Sequence, residues 1–202
     1  MKLAEYGKSE PPKTPYSASF IRATSINMVN YRRVYIEGGT YFFTVTLKNR
    51  KSNFLTTYID ALRESFSFVK EQQPFEIIAI VILPEHIHCI WQLPDGDDNY
   101  ASRWRAIKSH FTRSLIKLGV KLQKNSRGEY NLWQARYWEH TIRNESDLLR
   151  HIDYIHFNPV KHGRADSVKD WPYSSFHRFV AKEQLPANWG LAEVDILNDY
   201  GE

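Results

Sequence analysis

His86 and His88 flank a single isoleucine inside the apolar run Pro84-Glu85-His86-Ile87-His88-Cys89-Ile90-Trp91. Side chains on a strand alternate between faces, so both imidazoles project from one side while Ile87 and Cys89 point to the other. Two imidazoles on one face can grip a single metal ion. A second reactive run is Tyr154-Ile155-His156-Phe157-Asn158-Pro159. On a helix Tyr154 and Asn158, four residues apart, stand one turn above each other on the same face. A cation to polarise a phosphate, a tyrosine to attack it and a third ligand one turn away would form a phosphodiester-cleaving site. Each part has a plainer reading. Strand histidines more often hydrogen-bond than bind metal, a tyrosine beside a helix stripe usually packs, and a residue before proline usually ends a helix. The conjunction favours chemistry.

These groups need elements to hold them. Gly38-Gly39 reads as a turn into Thr40-Tyr41-Phe42-Phe43-Thr44-Val45-Thr46-Leu47, an aromatic and β-branched first strand. Ser52 or Asn53 caps a helix carrying Tyr58, Leu62, Phe66 and Val69. Pro74 opens a second strand that runs to Leu83, and the histidine strand continues to Leu93 before the turn Pro94-Asp95-Gly96. The next helix carries Trp104, Ile107, Phe111, Leu115 and Leu118 on a narrow apolar arc. Trp133 to His140 is expected to be extended. Asn144 caps the last helix, with Asp147 at its third position as a partial capping box. Its core stripe is Leu148, Leu149, Ile152 and Ile155, and Asp147, His151, Tyr154 and Asn158 gather on an adjacent face. Asn158-Pro159 is expected to stop it. The order of strands and helices predicts an α+β fold, an antiparallel sheet with helices packed on one face.

Composition narrows the class. The chain has 202 residues, 42% of them hydrophobic and 14% aromatic, enough for a real core and too apolar for wholesale disorder. No run is as long as a membrane span, no apolar signal core opens the chain, and Cys89 is the single cysteine. A cytosolic protein without disulfides or a zinc–cysteine cluster is expected. The net charge of +4 is unevenly spread. From Asn99 to Arg127 the chain carries Arg103, Arg105, Lys108, Arg113, Lys117, Lys121, Lys124 and Arg127 with no acidic residue, which suits a phosphate backbone. After Lys182 the charged residues are all acids: Glu183, Glu193, Asp195, Asp199 and Glu202. A solvated tail is the simpler reading, and a tail that competes with nucleic acid is the sharper one. Three regions follow: an arm over 1–36, a catalytic region over 37–163, and an extension with an acidic tail over 164–202.

The pattern His86-Ile87-His88 followed by Tyr154-x-x-x-Asn158 resembles the single-tyrosine HUH transposases. Further agreement comes from Gly38-Gly39-Thr40-Tyr41-Phe42-Phe43-Thr44-Val45-Thr46, from Ile107-Lys108-Ser109-His110-Phe111-Thr112 and from Tyr154-Ile155-His156-Phe157-Asn158-Pro159-Val160-Lys161-His162-Gly163. The late run Trp171-Pro172-Tyr173-Ser174-Ser175-Phe176 agrees too. Together these motifs, in order from about residue 31 to 180, resemble the REP-associated tyrosine transposases, a branch linked to repetitive extragenic palindromes of bacterial genomes.

The resemblance implies a ferredoxin-like (RRM-like) HUH nuclease fold, with metal-dependent cutting and rejoining of single-stranded DNA hairpins through a 5′-phosphotyrosine. It further implies Tyr154 as nucleophile, His86, His88 and Asn158 as ligands of Mg²⁺ or Mn²⁺, and a nucleoid-associated, cytoplasmic monomer. Arg103, Arg105, Lys108 and Arg113 are the expected DNA contacts. Glu85 would point away from the metal on an ideal strand and is left outside the site. His156 reads as structural, and Trp133, Tyr137 and Trp138 as packing aromatics more than base-stacking ones. A non-catalytic hairpin-binding protein of the same fold is the competing reading. A two-histidine phosphoesterase would need two His-x-Ser/Thr motifs, and no convincing pair is present.

Overall fold

Alternation along the first strand sets the architecture. In the computed structural model, which describes residues 35–190, β1 (Thr40–Thr46) is a central strand. Tyr41, Phe43 and Val45 face one side of the sheet and Phe42, Thr44 and Thr46 the other. β2 (Glu76–Ile82), β3 (His86–Gln92) and β4 (Trp138–Thr141) complete a four-stranded antiparallel sheet in the order β2-β3-β1-β4. The register opposes Thr44 to His88 and Thr46 to His86, so two threonines share the histidine face. Residues 1–34 of the arm predicted over 1–36 and most of the acidic tail lie outside the described residues.

The first face is covered by α2 (Ile59–Gln72), preceded by the single turn α1 (Phe54–Thr57), and by α3 (Tyr100–Lys117). Leu62, Phe66 and Val69 of α2 and Trp104, Ile107, Phe111 and Leu115 of α3 pack on Tyr41, Phe43, Cys89 and Trp91. Trp91 and Trp104 stack with ring centroids 4.3 Å apart at the centre of this layer. Burial pushes the Cys89 thiol well above its usual range, which leaves it an inert core residue. The apolar arc of α3 is as predicted up to Leu115, whereas Leu118 follows the helix end and is exposed.

The opposite face carries α4 (Glu145–Lys161). The α+β antiparallel sheet is therefore as expected, but its helices divide between two faces: α2 and α3 share one and α4 takes the other. The reason is that Phe42, Ala79, Val81 and Ile90 make the histidine face apolar around the imidazoles, and Ile152 and Ile155 of α4 bury it. Leu149, assigned by periodicity to the core stripe, points outward and is exposed. Asn144 caps α4, its Oδ1 accepting the Asp147 N–H at 2.9 Å. Pro159 does not stop the helix. It continues to Lys161, with the His162 N–H donating to the Asn158 carbonyl, and ends at Gly163 with φ +61°. A proline one turn from a helix end removes few hydrogen bonds, and the left-handed glycine makes the break.

The chain after Gly163 returns to the outer edge of β2. A 3₁₀ turn (Val168–Asp170) and α5 (Phe176–Ala181) flank a strip in which the Ile82 N–H donates to the Tyr173 carbonyl at 2.9 Å. The Ser175 N–H donates to the Ile80 carbonyl, and the Ile80 N–H donates to Ser175 Oγ. No helix among the described residues is long and apolar enough to cross a membrane.

Candidate active site

On β3 the two imidazoles stand side by side, ring centroids 4.7 Å apart, and both are buried. Each is oriented by a neighbour. Thr44 Oγ1, directly across the register, shares a hydrogen bond of 2.9 Å with His88 Nδ1. His86 Nδ1 donates to Glu85 Oε1 at 3.1 Å, because a carboxylate can only accept. In the neutral imidazole that tautomer leaves Nε2 with a lone pair, and His86 Nε2 is buried without a hydrogen-bond partner.

Glu85 therefore belongs to the site's support. Alternation predicts that it turns away from the histidines, but Glu85 lies in the bend before β3, where the period of two does not hold. Burial raises its carboxyl. The hydrogen bond from His86 and the positive charge of Arg164, 3.8 Å away, outweigh that and hold it below its ordinary value.

From the other side α4 brings Tyr154 edge-on to His88, with centroids 5.2 Å apart and the tyrosine almost wholly buried. Phe42 packs against both as a shared surface, 5.6 Å from the His88 ring and 5.9 Å from the Tyr154 ring. Asn158, one turn on, is buried on the same helix face. His86, His88 and Tyr154 thus meet between β3 and α4, and Asn158 lies buried one turn further along the same helix.

Earlier turns of the same helix face hold a second polar group. His140 Nε2 donates to Asp147 Oδ2 at 2.9 Å, and His151 Nδ1 donates to the Asp147 carbonyl at 2.8 Å. The ligand-capable atoms of His140, Asp147 and His151 all lie within 4.8 Å of one another, so the trio could hold a cation. Its hydrogen bonds already account for the geometry, since Asp147 also accepts the Arg143 N–H at 3.0 Å and so ties the start of α4 to β4. Burial raises the Asp147 carboxyl, but the hydrogen bonds from His140 and Arg143 prevail and lower it. Burial pushes the His151 imidazole down. His156 lies at the other side of α4, bonded through Nε2 to Ser175 Oγ at 2.9 Å, and burial lowers it to about 3. It holds the returning chain, in keeping with a structural role.

The basic helix α3 is on the sheet face opposite the histidines. Arg103 does not face solvent: its guanidinium is buried, paired with Asp97 at 2.7 Å and donating to the carbonyls of Gln73, Pro74 and Asn99. Asp97 closes the turn before α3, so the arginine joins that turn to the end of α2. Arg105 and Arg113 are exposed, and Lys108 is half-buried with Nζ over the rings of Trp133 and Tyr137. Trp133 donates from Nε1 to the Lys108 carbonyl, and Trp138 packs on Phe42, so these aromatics build the fold.

The family described as Transposase IS200 like matches residues 27–158. A REP-associated tyrosine transposase of Escherichia coli (strain K12) is 53% identical over 162 residues, which is 80% of this chain and 91% of that protein. The chain belongs to the IS200-like transposases, in their REP-associated tyrosine branch. A solved structure of a REP-associated tyrosine transposase bound to a REP hairpin is also similar, with a TM-score of 0.72 and 48% identity over 87% of this chain and all of that one. The matched region of this transposase spans β1 to Asn158 and so includes all four predicted site residues.

Proposed function

We propose that this transposase cuts and rejoins single-stranded DNA at REP-type hairpins, with Tyr154 as the nucleophile and His86, His88 and Asn158 as ligands of one Mg²⁺ or Mn²⁺ ion. The observation that carries it is Tyr154, buried edge-on against His88 on the helix face that also presents Asn158. The donor set fits a divalent ion: two imidazoles and an amide oxygen, with His86 Nε2 buried and unpartnered in the tautomer that Glu85 selects. A cation bound there supplies positive charge to the phosphate oxygens.

The chain's own residues do the rest. Tyr154 Oη forms a bond to phosphorus, the bond from phosphorus to the 3′ oxygen breaks, and the phenolic proton ends on that oxygen. The products are a 5′-phosphotyrosine and a 3′-hydroxyl. The reverse attack restores the strand, and no nucleotide is consumed because one phosphodiester is exchanged for another. Thr44 and Glu85 fix the two imidazoles, and Phe42 fixes the tyrosine ring.

Arg105, Lys108 and Arg113 are the proposed phosphate contacts outside the centre, while Arg103 is engaged internally. The proposed organisation is an arm over 1–36, a catalytic region over 37–163 and an extension over 164–202. A monomer is the proposed state, supported by the cover that Tyr173 and Ser175 give the edge of β2. The same reading makes it a cytoplasmic, nucleoid-associated protein. The test is a covalent trap: incubation with REP-type hairpin oligonucleotides and Mn²⁺, followed by mass spectrometry of the adduct. A 5′-phosphate on Tyr154, absent in Tyr154→Phe with hairpin binding intact, is the expected result. An adduct on Tyr137 or Tyr173 would refute it.

A further inference from the structure

Three basic side chains gather at the end of α4 beside the centre, and the mechanism above uses none of them. Gly163 explains how they come together. Its φ of +61° is in the left-handed region, and the Gly163 N–H donates to the Val160 carbonyl at 2.9 Å while the Arg164 N–H donates to the Pro159 carbonyl at 2.8 Å. The chain thus folds back on the last turn. Arg164 approaches Glu85 at 3.8 Å, and the His162 ring stands 5.4 Å from that of His86.

Lys161 is the informative member. Tyr154, Asn158 and Lys161 fall at i, i+4 and i+7 and share one helix stripe. Helical side chains lean toward the N-terminus, so the long lysine stem can reach back past the Asn158 turn. Lys161 Nζ lies 4.9 Å from the centroid of the Tyr154 ring. Cations near a helix C-terminus also answer the helix dipole, but that role does not require a tyrosine ring beneath the ammonium.

We propose that Lys161 binds the phosphate under attack, its ammonium meeting the non-bridging oxygens in the transition state and in the phosphotyrosine that follows. The inference rests on Tyr154 being the nucleophile. Attack adds charge to those oxygens, and a preorganised cation beside the nucleophile stabilises the charge as it develops. An ammonium with three rotatable donors suits a phosphate whose oxygens shift as the bond to Tyr154 forms and the bond to the 3′ oxygen breaks. Lys161 exchanges no proton in this step. Lys161 is an exposed residue at the end of α4, so its side chain borders solvent as well as the Tyr154 ring.

The test compares full-length wild type, Lys161→Gln and Lys161→Arg on REP-type hairpin oligonucleotides with Mn²⁺, under single-turnover conditions at saturating protein. Loss of a charge-stabilising donor predicts a fall of about 10²-fold in cleavage rate for Lys161→Gln. Melting temperature and hairpin affinity should stay close to wild type, and Lys161→Arg should recover most of the rate. A wild-type rate in Lys161→Gln overturns the proposal. So does a variant whose only defect is weaker hairpin binding, or one whose melting temperature falls and which Lys161→Arg does not repair. Adduct mapping separates the two readings. If wild type links DNA through another residue, the nucleophile assignment fails and this inference falls with it. If the link is to Tyr154 and Lys161→Gln cleaves normally, only the lysine's role is lost.

Discussion

On β1 and β3 the residues of the dry core alternate with those of the site. Phe43, Val45, Cys89 and Trp91 look toward α2 and α3, whereas Thr44, His86 and His88 look toward α4. The first face is closed by interlocking rings, Phe43, Trp91 and Trp104 among them. The second keeps imidazoles, a carboxylate and an amide buried beside a phenol. A slip of one residue in register would exchange the two sets. The apolar demand of the first face therefore positions the chemistry of the second, and Thr44, which orients His88, comes with the register.

Removing chemistry from one face and packing from the other should give opposite results. His86→Ala combined with His88→Ala should lower cleavage by at least about 10³-fold while the folded state and hairpin binding persist, read by adduct formation, circular dichroism and gel shift. Residual cleavage near the wild-type rate would remove the histidines from the centre. Trp104→Ala should act the other way round, destabilising the fold by about 3–5 kcal/mol in urea unfolding, because a large ring is deleted from a packed layer. Any fall in cleavage below its midpoint should follow the unfolded fraction. A variant that stays stable but cannot cleave would break the division between faces.

The smallest expected effect concerns pH. His156 takes up a proton near 6.5 when unfolded but only near 3 when folded, because burial disfavours its charged form. Between those values the unfolded chain binds more protons, so stability is complete above the upper value and declines as pH falls below it, by at most about 1.4 kcal/mol per pH unit. His151, lowered by burial as well, adds to the decline with the same sign. His156→Gln should flatten the fall in melting temperature between pH 7 and 5, and an unchanged profile would assign it elsewhere.

Much of this was legible in the sequence, because alternation on strands and the 3.6-residue turn are local rules. His86 and His88 share a face, and Tyr154 and Asn158 share another, for reasons contained in their spacing. What was missed depended on where a regular element stops. Glu85 sits in a bend before β3, Pro159 is carried inside α4, and Leu118 follows the end of α3. Arg103 reads as part of the basic surface because nothing local announces that Asp97 and three carbonyls enclose it. The division of helices between faces was likewise hidden, since it rests on which apolar surface α4 covers.

The closure of the β2 edge by Tyr173 and Ser175 has a consequence for synthesis. Both residues leave the ribosome after the four strands of the sheet have been made, so a nascent chain holds a row of open peptide groups until they emerge. A message truncated shortly after Gly163 would encode the four predicted site residues and still yield a product with a bare sheet border, prone to join its own copies. Premature termination at that point therefore tends toward aggregates more than toward a shortened, active product.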